Sequence, residues 1–118
     1  MWEIEFTDNF ADWWTALSTI QQAALAARIE LLQVNGPSLG RPAVDRIHTS
    51  RHHSMKELRA DQDGALRVLF MFDPRRNAIL LLGGDKSGQW NEWYGWAVPA
   101  AEELYDIYLD ELKKEGLL

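Results

Sequence analysis

Residues 66–86 read LRVLFMFDPRRNAILLLGGDK, and the fold turns on them. LRVLFMF and AILLL are nearly continuous apolar runs of strand length, separated by Asp73-Pro74-Arg75-Arg76-Asn77, a good hairpin turn. Runs without polar alternation suit central strands covered on both faces. Strands are therefore expected at 66–73 and 78–83. Upstream, a further strand at about 53–60 joins the first through Asp61-Gln62-Asp63-Gly64. Together they form a three-stranded antiparallel meander.

Outward from the meander, both ends have their own periodicities. Trp2, Ile4 and Phe6 alternate with Glu3 and Glu5, the period of a half-buried strand. Thr7-Asp8-Asn9 supplies caps for a helix carrying Phe10, Trp13, Trp14 and Leu17, and Ser18-Thr19-Ile20-Gln21 has capping-box spacing for a second. The second helix has the stripe Ile20, Ala24, Ala27, Leu31 and Val34, and Asn35-Gly36-Pro37 stops it. The stretch 36–42 is a connector. Pro99 is expected as the first residue of a last helix, with Glu102 and Glu103 in its first turn, Lys113 and Lys114 in its last, and Gly116 just beyond. The fold expected is α+β: an N-terminal strand, an αα-hairpin, the meander and a C-terminal helix, in a single domain over residues 1–118.

Composition narrows the class. With 47% apolar and 25% charged residues, the chain is an ordinary globule, neither disordered nor fibrous. No apolar run approaches the ~20 residues of a membrane span, and MWEIEF is not a secretory signal. The absence of cysteine excludes disulfides and thiolate chemistry and agrees with a reducing cytoplasm. The net charge of −6 is uneven: residues 1–40 carry five acids and one base, and residues 87–118 carry seven acids and two bases. Residues 41–86 carry nine bases, six acids and all three histidines, so an anion-binding face is expected in the middle of the chain.

His48, His52 and His53 lack the spacing of a metal site, and no HExxH, GxSxG, Walker loop or GxGxxG is present. No metal or other cofactor is expected. What stands out is a set of cations at strand ends: Lys56, Arg59, Arg67 and Lys86, with His52 and His53 nearby. If the first loop of the meander is residues 61–65, Arg59 and Arg67 pair across the ladder and share a face. Arg67 heads an otherwise buried run, where it either serves a site or forms a structural pair with Glu57 or an Asp. Such groups suit cleavage of RNA by its own 2′-OH, which needs a base, cations for the phosphorane and an acid for the leaving oxygen. Trp90, Trp93 and Tyr94 either stack bases or pack the last helix. Trp90 and Tyr94 are the contacts expected, Trp93 and Trp96 the packing. Gly83-Gly84 is read as the point where the backbone turns out of the last strand, leaving Lys86 at the rim beside Arg67.

MKELRADQDGALRVLFMFDPRRNAILLLGGDKSGQWNEWY followed by VPAAEELYDIYL resembles the RelE/ParE superfamily of toxin–antitoxin systems, in its HigB-like branch related to phage Gp49-type proteins. The resemblance covers residues 50–110 in motif and the N-terminal segments in order only. It implies a small sheet carrying a helical hairpin and a metal-independent endoribonuclease that cuts mRNA on the ribosome. It also implies a cognate antitoxin, often a helix-turn-helix DNA binder. Carried over by position, Arg59 and Arg67 match basic residues flanking the first hairpin, Lys86 the basic residue past the last strand, and Tyr94 a tyrosine following it. His53 and Glu57 both remain open as the base, and Lys56, His52 and Trp90 are expected to contact RNA. Two alternatives stay open: a ParE-like inhibitor of gyrase, which the acidic total favours, and an inactive relative kept for antitoxin or regulator binding.

Overall fold

The structure, a computed structural model, describes the backbone of residues 1–118 and every side chain except that of Trp90. In chain order it comprises β1 (Glu3–Phe6), α1 (Asp8–Thr15), α2 (Thr19–Asn35), a short 3-10 turn (Gly36–Ser38), β2 (Val44–Arg46), β3 (Lys56–Ala60), β4 (Leu66–Phe72), β5 (Asn77–Asp85) and α3 (Trp90–Lys114). The sheet order is β1-β5-β4-β3-β2. Strands β2 to β5 pair antiparallel, and β1 lies parallel to β5 at the edge.

Both faces of the meander have a cover; β4 and β5 are largely apolar on each side, whereas β3 is apolar only on the side of Leu58 and Ala60. Leu58, Ala60, Leu66, Val68, Phe70, Ala78 and Leu80 pack with Phe10, Leu25 and Leu32 of the hairpin α1–α2. Met55, Leu69, Met71, Ile79, Leu81 and Leu82 pack with Trp93, Ala97, Val98, Ala101 and Tyr105 of α3. Two sheet faces buried under helices explain why the central strands read as unbroken apolar runs. A register irregularity opposite Leu69/Phe70 lets both Leu81 and Leu82 join the α3 side.

The caps of the hairpin are those the sequence encodes. Thr7 Oγ1 accepts from the Phe10 amide at 3.1 Å. Ser18 and Gln21 form the reciprocal capping box at 3.1 and 3.0 Å. The stripe of α2 differs from expectation: Leu25 and Leu32 are fully buried, whereas Ile20 is 54% and Val34 68% exposed. Leu25, Ile29 and Leu32, spaced four and three, bring the larger side chains to the sheet, and Ala24 only borders the contact.

Three boundaries also change. β2 was not expected; its three residues add an edge to β3 just beyond the connector. β3 begins at Lys56, so His53 sits in the preceding turn. α3 begins at Trp90 rather than Pro99, which lies within it. Proline inside a helix costs about 3 kcal/mol, but Trp93, Ala97, Val98 and Ala101 are buried against the sheet. Burial of apolar side chains at about 1.5–3 kcal/mol for each large one outweighs that cost.

The glycine pair, expected where the backbone turns out of the last strand, is also placed differently. Both residues lie inside β5, not in a turn. A Cβ at Gly83 would come within 2.6 Å of Trp13 Cδ2, and one at Gly84 within 2.7 Å of Trp93 Cε2. The strand is bare there because a tryptophan ring lies against each of its faces.

Candidate active site

The site is built at the end of the sheet where β3 leaves for β4. The five-residue connection pairs Ala60 with Leu66 and sets Arg59 directly opposite Arg67, with Gly84 of β5 on the other flank of Arg67. Period two puts Glu57, Arg59 and Arg67 on the α3 side of the sheet, together with Leu69. Arg67 is 2% exposed. Its Nη1 donates to Asp61 Oδ1 at 2.6 Å and to the Leu66 carbonyl at 2.8 Å, and its Nε lies 3.9 Å from Glu57 Oε1. A buried guanidinium requires such partners, so the structural pairing with Glu57 and an aspartate is present in the molecule.

Glu57 is the centre of this arrangement. Its Oε1 accepts the Tyr94 hydroxyl at 2.6 Å. Burial and this carboxylate push the Tyr94 phenol up to about 12, which keeps it a donor at any physiological pH. Lys86 Nζ sits 5.1 Å from the centroid of the Tyr94 ring. Burial and then the charge of Arg67 hold the Lys86 ammonium below its usual range, against the opposing pull of Glu57. Arg67 as hydrogen-bond donor holds the Asp61 carboxyl low. Arg59 reaches Asp45 Oδ2 at 3.6 Å. The Nε atoms of both arginines are buried without a hydrogen-bond partner among the described residues.

Glu57 and Tyr94 open onto a cleft of about 580 Å³ between α3 and residues 46–49. Arg46, His48 and Asn91 also line it. Gly95 and Pro99 lie on its wall, and the proline has no N–H to offer the Gly95 carbonyl four residues earlier. Glu102 fastens the facing loop: it accepts from Ser50 Oγ at 2.9 Å and from the Arg51 amide at 2.6 Å. A carboxylate held by a neutral donor, with cations packed behind it, can take a proton from a bound hydroxyl and steady developing negative charge.

Of the expected site residues, Arg59, Arg67, Lys86, Glu57 and Tyr94 come together. Three do not. His52 pairs with Asp106 at 3.0 Å and sets its ring edge-on to Tyr105, well along α3. Lys56 points to the opposite face of the sheet, over the Phe72 ring, and His53 lies near it. The Trp90 side chain falls outside the described residues. Trp93 is packing, as expected, whereas Trp96 is 52% exposed. Neither Arg46 nor His48 is expected in the cleft from sequence: β2 is too short to show a period, and His48 lies in the turn beyond it. Among the described residues, no three His, Cys, Asp or Glu side chains converge as metal ligands do, and no helix is long and apolar enough to cross a membrane.

Comparison with known proteins places the chain. Residues 12–106 match the family described as "Phage derived protein Gp49-like (DUF891)". A Mycobacterium tuberculosis protein whose name marks it as a candidate toxin, HigB3, is 46% identical over 97 residues, which cover 82% of this chain and 84% of that one. Its similarly named HigB2 is 39% identical over 108 residues, 90% of this chain and 54% of its own length. Among solved structures, a mutant of the E. coli toxin RelE in the free state superposes with a TM-score of 0.62 at 11% identity, over 83% of this chain and 95% of that one. The intact E. coli RelBE toxin–antitoxin complex matches with a TM-score of 0.57 at 9% identity, over 72% and 96%. At such identities these two likenesses concern the fold, which is thereby RelE-like, while the sequence matches carry the family. The chain belongs to the Gp49-like phage-derived family, in the company of the HigB toxins.

Proposed function

We propose that this protein is the toxin of a type II toxin–antitoxin system, a metal-independent endoribonuclease that blocks translation by cutting mRNA on the ribosome. The observation that carries the reading is the Tyr94–Glu57 hydrogen bond opening onto the cleft, with Lys86 and Arg67 behind it. Residues 1–118 act as one toxin domain in the cytoplasm. A cognate antitoxin, a helix-turn-helix DNA-binding protein, keeps it silent, as the RelBE complex pairs a toxin with an antitoxin.

In the reaction, Glu57 takes the proton of the ribose 2′-OH as that oxygen attacks the adjacent phosphorus. The bond from phosphorus to the 5′ oxygen breaks, leaving a 2′,3′-cyclic phosphate and a 5′-hydroxyl. Lys86, buried behind Glu57, offsets the negative charge of the phosphorane, and the departing 5′ oxygen takes its proton from water. Arg59 adds charge at the same end of the sheet. Arg67, buried as it is, acts as a positioning residue through Glu57 and Asp61, and Tyr94 orients the Glu57 carboxylate and offers a ring to the adjoining base. His53 lies beyond Arg46 rather than in the cleft, which favours Glu57 over it as the base.

Expression without antitoxin in a bacterial host tests the reading. Wild type is expected to arrest growth and leave mapped cuts in translated messages; Glu57→Gln and Lys86→Ala are expected to abolish both. Arrest undiminished in both variants overturns it. The acidic total of −6 favours a gyrase-directed reading instead; arrest with intact messages and relaxed plasmid DNA would establish that one.

A further inference from the structure

The far side of the sheet edge holds a feature the cleft does not use. Arg46 and Lys56 stand directly opposite one another in the β2–β3 ladder, where like charges repel. Neither has a carboxylate partner among the described residues. The nearest acid in sequence, Asp45, accepts from the Arg46 backbone amide at 2.8 Å through Oδ1 and turns Oδ2 to the side chains of Arg41 and Arg59 at 2.7 and 3.6 Å. Lys56 Nζ donates only weakly, to the Pro37 carbonyl at 3.3 Å. Burial, and then Arg46, hold its ammonium below the usual lysine range. A groove of about 410 Å³ lies here, lined by Pro37, Arg46, His53, Ser54, Lys56 and Phe72. Three basic side chains and no acid line this groove in a chain of net charge −6. Such an uncompensated pair is relieved by an anion set between the two cations.

Two further observations identify the anion's class. Arg46 lines both this groove and the Glu57–Tyr94 cleft, so the two adjoin with one side chain between them. Phe72 is a half-buried ring in the groove, and a cationic track interleaved with an aromatic ring fits single-stranded nucleic acid. We propose that the Arg46–Lys56 groove is a second phosphate subsite, which holds the backbone of the RNA strand after it crosses Arg46 from the cleft. The inference rests on the ribonuclease reading of the cleft.

The test uses a 2′-O-methyl oligonucleotide of about six residues, which cannot be cut, titrated by fluorescence anisotropy at low salt. Single neutral methylphosphonates are placed along it, and Lys56→Gln is compared with wild type, with thermal melting as the folding control. A phosphate contact on a single strand contributes about 0.7 to the slope of log affinity against log salt. Lys56→Gln is expected to weaken binding about 5- to 10-fold, lower that slope by about 0.7, and remove the effect of one methylphosphonate position while leaving the others. An unchanged slope and an unchanged methylphosphonate profile overturn the subsite. Failure of wild type to bind the oligonucleotide overturns it too, and tight binding of a poly-glutamate peptide instead would make the groove a seat for an acidic protein segment. RNA cut by wild type and by Lys56→Gln with equal KM overturns the subsite while leaving the cleft reading intact. Lys56-dependent binding without any cleavage supports the subsite and removes the ribonuclease reading.

Discussion

Replacing Gly84 with alanine tests the account of the glycine pair. The added Cβ would stand 2.7 Å from Cε2 and 2.9 Å from Cζ2 of Trp93, where ordinary contact requires 3.4 Å or more. The ring must move by several tenths of an ångström at least, yet it is 1% exposed between β5 and the rest of α3. Overpacking a well-filled core costs about 1–3 kcal/mol, and so enclosed a ring belongs at the upper end. The strand preference of alanine over glycine returns about 0.5–1 kcal/mol, for a net loss near ~2 kcal/mol. For a chain of this size that corresponds to a Tm lowered by about 8 °C. Gly83→Ala meets Trp13 as closely, but Trp13 is only half-buried and can swing outward; a loss near ~1 kcal/mol and about 4 °C is expected. Differential scanning calorimetry of the two variants measures both shifts, and near-ultraviolet circular dichroism reports the displaced ring. A Gly84→Ala protein that melts within about 2 °C of wild type, or above Gly83→Ala, would refute the reasoning.

Other expectations follow from the same geometry. Leu25→Ala and Leu32→Ala should each cost about 2–5 kcal/mol, while Ile20→Ala and Val34→Ala should stay within about 0.5 kcal/mol; urea titration separates the two pairs. The Tyr94 phenol ordinarily ionises near 10 and is pushed up to about 12 in the fold. The folded state holds that proton longer, so its contribution is complete below pH 10 and is lost as pH climbs toward 12. Stability above pH 10 should therefore fall less steeply in Tyr94→Phe than in wild type. The Asp61 carboxyl is held low by Arg67; its contribution is present above the ordinary aspartate range and lost on acidification through the folded value. Asp61→Asn should flatten the acid limb of the stability profile, as followed by tryptophan fluorescence.

Much of this architecture is legible in residue order, for identifiable reasons. The meander shows because β4 and β5 are covered on both faces and, Arg67 apart, run apolar from Leu66 to Phe72 and from Ala78 to Leu82. The Arg59–Arg67 pairing follows from loop length alone. The same period of two already assigns Lys56 to the face away from Glu57 and Arg59, although proximity in sequence groups them together. Other features depend on distant partners. A glycine pair at a strand's end resembles a turn until Trp13, some seventy positions upstream, is found in the space of one missing side chain and Trp93 in that of the other. The start of α3 is hidden by Pro99, since local preference places proline at a helix's first turn, and only burial of Trp93 overrides it. β2 is three residues long and gains its identity from β3 rather than from any pattern of its own.

The parallel pairing of β1 has a consequence for how the chain acquires its shape. Glu3 to Phe6 find their ladder on Asn77 to Leu80, a separation of 74 positions, as in the bond from Thr7 to the Leu81 carbonyl. Closing so large a loop precedes any gain from the contact. Helix α2 can settle on β3 earlier, but α1, which packs on β5, has no strand to lie on until β5 has been made. Strand β1 and helix α1 must therefore wait for the segment that leads into Lys86 of the cation cluster. Docking of the N-terminal strand and completion of the cation cluster thus wait on the same late segment, residues 77–86.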